Sequence, residues 1–402
     1  MAPISFEKVE QGPPDAILGV KTRFLADDSP ESVNVSVGAY RDAQGKPLVL
    51  EVVRKAEKAI LEDASRNKEY LGIAGDVKFR QATQEFCFGA DAKSVKEGRV
   101  ATVQALSGTG ALRVGAEFLA THFAGTKVYI PNPTWGNHFK IFGNAGLETA
   151  KYTYLNPATR GLDFEGMMKD LEQAPAGSVV VLHVCAHNPT GVDPTAEQWQ
   201  KIVDLLTERQ LLPFFDSAYQ GFASGDVDKD AYAVRLFESK GQQMMVAQSY
   251  SKNMGLYGER VGALNVVCPS AGACARVMSQ LELVIRPMYS NPPRHGAAIA
   301  ALILTDPKLR EEWKVELKGI VDRILAMRKG LREAIEATGA PGDWSFITDQ
   351  IGMFTFTGLS ADQVASMEKN YHIYMPSNGR ISVAGLTSDK LEHVAKAIRS
   401  VL

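Results

Sequence analysis

Short apolar runs alternate along most of the chain with longer stretches of helical period. The runs are KVYIP (127–131), VVVLHVCAH (179–187), LLPFFDSAY (211–219), MMVAQSYS (244–251) and VGALNVV (261–267), and each predicts a strand. Between them, AEQWQKIVDLLTERQ (196–210) carries Trp199, Ile202, Val203 and Leu206 at helical spacing, and Asp193-Pro194-Thr195 reads as its start signal. This alternation predicts a doubly wound α/β unit with a mostly parallel sheet. A long charged helix is predicted from Pro307 to Thr338. Shorter strand-like pieces (GMFTFTGL, RISVAGL) and a closing helix in SDKLEHVAKAIRSVL follow it. That tail reads as a smaller α+β unit, and VNVSVGAYRD (33–42) is expected to pack with it. The expected division is an N-terminal arm (1–12), a discontinuous small domain (13–46 and 311–402) and a large domain (47–310). The chain's 402 residues suit one large and one smaller domain.

Composition narrows the partners. Hydrophobic residues make up 45% and charged residues 22%, as in soluble globular proteins. A net charge of −2 without a basic block argues against nucleic acid and anionic membrane surfaces. Apolar stretches such as AAIAALIL (297–304) are too short to span a bilayer. Cys87, Cys185, Cys268 and Cys274 form no C-x-x-C pattern and read as reduced thiols. The N-terminus has no apolar signal core and carries Glu7, Glu10 and Asp15. A cytoplasmic protein is expected, with a mature organellar form as the alternative.

In open α/β sheets, ligands bind beyond the carboxyl ends of strands. After 127–131 come Asn132, Pro133, Thr134, Trp135 and His138, and after 179–187 comes Asn188-Pro189-Thr190-Gly191. The run LLPFF ends on Asp216, with Ala218 and Tyr219 close behind, and 244–251 leads to Lys252. These types together have the chemistry of a pyridoxal phosphate site. A lysine amine of depressed pKa bonds the cofactor aldehyde. A buried carboxylate, here Asp216, keeps the pyridine nitrogen protonated so that the ring accepts electrons. Tyr219 and Asn188 suit the ring hydroxyl, and the Trp135 indole can stack on the ring. A phosphate wants N–H groups at a helix start plus a cation. Ser107, Gly108 and Thr109 of LSGTGALRVGAEFLA (106–120) offer the first, Arg260 the second, and Ser249 adds a hydroxyl.

Taken singly, these residues have blander readings. Lys252 alone reads as a solvated lysine, and Ser249, Arg260 and Asp216 reverse that. Asp216 alone reads as a helix cap, but at the end of LLPFF an unpartnered carboxylate is costly. Trp135 alone reads as core. His183, Cys185 and His187 would share one face of a strand, a set of side chains that zinc can use. They crowd one another and lack a fourth ligand, so no metal is expected, and His183 is read as lying beneath the cofactor. Gly108, Gly110 and Gly115 depart from G-x-G-x-x-G at its third glycine, which disfavours a nicotinamide site.

DSAYQGF (216–222), SYSKN…ER (249–260), HNPTGVDP (187–194) and VIRPMYSNPP (284–293), in this order-specific set, resemble the aspartate aminotransferases of the class I aminotransferase family, pyridoxal phosphate enzymes of fold type I. The resemblance covers essentially the whole chain. It implies a mostly parallel seven-stranded sheet in the large domain, a smaller α+β domain, and a homodimer sharing its active sites across the interface. It implies that Lys252 bonds the cofactor and then shuttles the proton, that Asp216 pairs with the pyridinium, and that His138 backs Asp216. Tyr219 and Asn188 would hold the ring oxygen, and Trp135 and Ala218 would cover its two faces. Ser107, Gly108, Thr109, Ser249 and Arg260 would hold the phosphate, joined by Tyr70 of the neighbouring subunit. Arg380, with Gly38 close by, would bind the substrate α-carboxylate, and Arg286 the distal carboxylate across the interface. Two cis bonds, Asn132-Pro133 and Asn188-Pro189, are implied. Ser251 and Ser382 stand where the family more commonly has alanine and asparagine.

The activity implied is transfer of an amino group from L-aspartate to 2-oxoglutarate in two half-reactions. A broad aspartate/aromatic specificity is the alternative. A lyase or decarboxylase would want the carboxylate upright at the ring rather than held by two arginines. A catalytically dead binding protein would be expected to have lost Lys252 or Asp216.

Overall fold

The computed structural model describes residues 4–13 and 15–402. Residues 1–3 of the expected arm, and Pro14 in the first segment of the expected small domain, lie outside the described residues. Seven strands form the main sheet: β1 (Val100–Leu106), β2 (Lys127–Asn132), β3 (Glu148–Thr153), β4 (Val179–His183), β5 (Leu212–Ser217), β6 (Met244–Ser249) and β7 (Val261–Val267). Their spatial order is β1-β7-β6-β5-β4-β2-β3. Only β7 runs against its neighbours, and every other pairing is parallel. The architecture is that of fold type I.

A parallel sheet needs both faces covered, which is why β4, β6 and β7 are buried at every position. Helix α1 (Ser107–His122) packs Ala111, Leu112 and Val114 with Phe214, Met245 and Leu264 on one face. Helix α2 (Ala196–Glu208) packs Trp199, Ile202, Val203 and Leu206 with Val180, Phe215 and Val246 on the other. Successive residues Phe214 and Phe215 thus serve opposite cores, as strand alternation requires. Gly115 lets α1 close on the sheet, since a Cβ there would sit 2.5 Å from Phe214 Cζ. Helix α2 starts at a reciprocal capping box between Thr195 and Gln198, just after the expected Asp-Pro-Thr signal.

Strand β4 stops at His183. Cys185 and His187 therefore do not continue its alternation, contrary to the expectation from VVVLHVCAH. The chain turns there, with Ala186 at φ +50°, and the Asp193 carboxylate accepts the Ala186 and His187 amides at 2.6 and 2.9 Å.

Beyond the sheet, helix α3 (Pro307–Ala337) is capped by Asp306, which accepts from the Lys308 and Leu309 amides at 2.9 and 3.0 Å. It packs against helix Arg294–Thr305 on one side and the closing helix Leu391–Ser400 on another. Val33–Asn34 pairs in parallel with Ile373–Tyr374, and Arg380–Ser382 pairs antiparallel with Phe354–Phe356. The second of these small sheets carries Arg380. Among the described residues, no helix is long and apolar enough to cross a membrane.

Candidate active site

The carboxyl ends of β2, β4, β5 and β6 and the start of α1 open on a cavity of about 480 Å³. Its wall brings together Gly38, Ser107, Gly108, Thr109, Trp135, Asn188, Asp216, Ala218, Tyr219, Ser249, Lys252, Arg260 and Arg380. Both expected cis bonds, Asn132-Pro133 and Asn188-Pro189, are present.

Lys252 follows β6 and is half-buried, and its Nζ makes no hydrogen bond or ion pair among the described residues. Burial pushes its ammonium down from the ordinary 10.5 to about 8, the Arg260 charge adds to this, and Asp216 opposes it. The Tyr257 ring centroid lies 5.4 Å from Nζ. Asp216, in β5, is buried, and its Oδ2 lies 3.1 Å from His138 Nε2. Burial alone would raise this carboxyl. The hydrogen bond with His138 and the nearby positive charge, Lys252 included, outweigh burial and leave it lowered. Thr134 Oγ1, 2.8 Å from Nδ1, fixes the other side of the His138 ring. His183 packs edge-on to His138 at 5.4 Å between ring centroids, and burial holds it neutral well below its ordinary range. Trp135 meets His138 edge-on at 5.3 Å.

A second group gathers at the head of α1. No side chain caps this helix, so its first N–H groups face the cavity unclaimed by a cap. Ser107 Oγ lies 3.0 Å from Ser249 Oγ and 2.9 Å from Ser251 Oγ. Ser107 and Arg260 both hold left-handed backbone, at φ +62° and +50°, a conformation that side chains other than glycine adopt at some strain. A Cβ on Gly108 would come within 3.3 Å of Ser249 Cβ, so glycine keeps this corner open.

Arg380 forms the opposite wall. Its Nη1 donates to Asn188 Oδ1 at 3.1 Å and its Nη2 to Ser36 O at 2.7 Å, while Nε has no partner among the described residues. Its guanidinium lies 4.0 Å from the Phe354 ring centroid. Burial lowers it to about 10, still firmly charged at neutral pH. Tyr219 is buried beside it, and burial pushes its phenol up.

Two expected residues lie elsewhere. Tyr70 is 81% exposed and lines a different cavity with Asn291 and Arg294. Arg286 is exposed near the end of helix Ala271–Met288, where it hydrogen-bonds Ser290. Tyr257, Ser251 and Phe354 are among the wall residues that were not expected. Tyr257 accepts the Tyr40 amide at 2.9 Å, and its place between Lys252 and Arg260 was a usable signal. Ser251 joins the hydroxyl cluster, and Phe354 underlies Arg380 with no local signal in GMFTFTGL.

A family profile described as "Aminotransferase class I and II" matches residues 30–398. The chain is 58% identical over 397 residues to "Aspartate aminotransferase, cytoplasmic" of Oryza sativa subsp. japonica, covering 99% of this chain and 98% of that one. It superposes with a TM-score of 0.97 at 45% identity on the aspartate aminotransferase from Saccharomyces cerevisiae cytoplasm, over 98% of each chain. An aromatic-amino-acid aminotransferase from Burkholderia pseudomallei, covalently bound to pyridoxal phosphate, superposes with a TM-score of 0.95 at 46% identity over 99% of each. A match of this extent, over a site with this geometry, places the chain in the class I and II aminotransferase family.

Proposed function

We propose that this chain is a pyridoxal phosphate-dependent aspartate aminotransferase, converting L-aspartate and 2-oxoglutarate to oxaloacetate and L-glutamate. The observation that carries the reading is Lys252. It is a half-buried amine without a hydrogen-bond partner among the described residues, lowered to about 8, in one cavity with Arg380 and with Asp216, which His138 backs. The cavity wall holds Lys21, Arg41, Lys252, Arg260 and Arg380 against one carboxylate, Asp216, which suits anionic substrates and a phosphate.

The residues present fit the cofactor. The uncapped head of α1, the Ser107, Ser249 and Ser251 hydroxyls and Arg260 would hold its phosphate. Trp135 and Ala218 would bound its ring, and Asn188 and Tyr219 its hydroxyl. When bound, pyridoxal phosphate supplies an aldehyde that condenses with amines and a ring that withdraws electrons from the substrate carbon. Asp216, kept anionic by His138, holds a proton at the ring nitrogen. Arg380, aimed by Asn188 and Ser36, binds the α-carboxylate and so leaves the Cα–H bond as the one presented for cleavage. Lys252 Nζ takes that proton and returns it. Tyr70 and Arg286, both outside their own cavity, are assigned to the cavity of a second copy, with Arg286 binding the distal carboxylate. A homodimer with shared sites follows from that assignment. The relative named as cytoplasmic supports a cytoplasmic location.

A second reading, broad aspartate/aromatic specificity, is favoured by the structural likeness to the Burkholderia enzyme. Absorbance of the cofactor-loaded protein separates the two. Loss of the visible band with L-aspartate, and little change with L-phenylalanine, is expected. A comparable change with both supports the broad reading, and no change with either overturns aminotransfer.

A further inference from the structure

Arg328, midway along α3, is 1% exposed and far from any solvent-facing role. It forms no ion pair with a carboxylate among the described residues. Its guanidinium is spent on backbone instead. Nη1 donates to Ile347 O at 2.7 Å, and Nη2 donates to Gly352 O at 2.9 Å and also to Phe354 O. Nε has no partner among the described residues. Burial pushes the group down to about 9, so it is charged at neutral pH, and the three carbonyls are all that offsets its desolvation.

All three carbonyls belong to one stretch, 347–354, which leaves the short helix Phe346–Asp349 and turns into the strand Phe354–Phe356, and it touches the substrate side of the cavity at two places. The Ile351 amide donates to Gly191 O at 2.7 Å, which joins the turn to the Asn188–Gly191 loop that supplies a partner to Arg380. Phe354 lies 4.0 Å beneath the Arg380 guanidinium and 6.2 Å, edge-on, from Tyr219. The turn has little slack. Gly352 sits at φ +76°, where a Cβ would meet Ala186 Cβ at 2.5 Å, and a Cβ on Gly38 would meet Phe354 Cζ at 2.7 Å.

We infer that Arg328 is a positioning residue for carboxylate binding: by gathering the carbonyls of 347–354 it holds Phe354 and the Asn188 loop against Arg380. The inference rests on the aminotransferase reading, because it assigns Arg380 to the substrate carboxylate. It goes further in placing control of that arginine on a buried cation in α3. A guanidinium can serve three diverging carbonyls at once, whereas an ammonium on a shorter stem cannot reproduce the fork. Nothing in the contacts of Arg328 reaches the head of α1, Asp216 or Lys252. Its loss should therefore act on substrate and spare the cofactor.

The test uses the cofactor-loaded protein and succinate, a dicarboxylate that has no amino or oxo group to react. Arg328→Lys and Phe354→Leu should each raise the succinate dissociation constant, read by calorimetry, and the KM for aspartate by about tenfold or more, as displaced positioning groups do. The visible absorbance of the cofactor and its affinity should stay at wild-type values. Because both changes act through one contact, the double variant should lose less than the product of the two. Arg328→Met is the harsher variant, and Arg328→Lys remains informative if it fails to fold. A lowered melting temperature with unchanged succinate binding in Arg328→Lys would reduce the residue to a structural one and overturn the inference. Multiplicative losses in the double variant would overturn it too. Failure of wild-type protein to bind succinate would overturn the assignment of Arg380 and this inference together, which distinguishes that failure from the others.

Discussion

Lys252 offers the most direct quantitative test of the site, because its chemistry depends on the fraction of neutral amine. An ordinary lysine at 10.5 is about one part in a thousand neutral at about pH 7.5, whereas one lowered to about 8 is about a quarter neutral, a gain of roughly two-hundredfold in nucleophile. The causes are burial first and the Arg260 charge second, with Asp216 working in the opposite direction. Cofactor-free protein, trace-acetylated from about pH 6 to 11 and read peptide by peptide in a mass spectrometer, reports each lysine's titration separately. Lys252 should label with a midpoint near 8, well below the ordinary lysine value of 10.5. Arg260→Met should move the midpoint up, and Asp216→Asn should move it further down. The same shift has a sign for stability. The folded chain binds fewer protons at Lys252 than the unfolded chain between about pH 8 and 10.5, so unfolding free energy of the cofactor-free protein gains a rising contribution across that window. A midpoint near 10.5, or no upward movement in Arg260→Met, would refute the argument from burial and charge.

Asp216→Ala should lower kcat by about a thousandfold or more, since it removes a fixed charge at the reacting centre, and a mild loss would place the pyridinium partner elsewhere. Arg286→Asp should lower kcat/KM for aspartate far more than for alanine, and equal losses would count against its assignment to the distal carboxylate. Thr195→Ala should cost about 1 kcal/mol in urea unfolding through the lost cap on α2, with kcat and KM unmoved. A stability change near zero would mean that the capping box of α2 contributes nothing measurable.

The legible parts of the fold were those with a local signature. The strands β2, β4, β5, β6 and β7 announce themselves as branched apolar runs, and α2 by its period and cap. Two strands do not. The edge strand β3, ETAKYT, has no apolar run, and of its six residues only Tyr152 is buried. β1, VATVQAL, leads without a break into the helix at Ser107, so pattern alone does not separate the two. The residues around the cofactor pocket were legible because they follow strand ends, where an α/β sheet delivers side chains. Phe354 and Arg328 were not. Each acts through partners distant in sequence, and Arg328 sits in a helix whose charged residues mostly face solvent. Tyr70 and Arg286 rested on resemblance alone, and the single chain leaves both outside the cavity.

The parallel pairing of Val33–Asn34 with Ile373–Tyr374 carries a consequence for synthesis. Emerging from a ribosome, that segment has no strand to join until Ile373 and Tyr374 have been made. The seven-stranded sheet, whose members all lie between, can assemble first. Arg380 is made after all seven of those strands, and Ser36, whose carbonyl receives it, before any of them. The Arg380 wall is thus built after the seven-stranded sheet, so a chain stopped between Val267 and Arg380 would have all the strands that line the cavity and lack the guanidinium we assign to the substrate carboxylate.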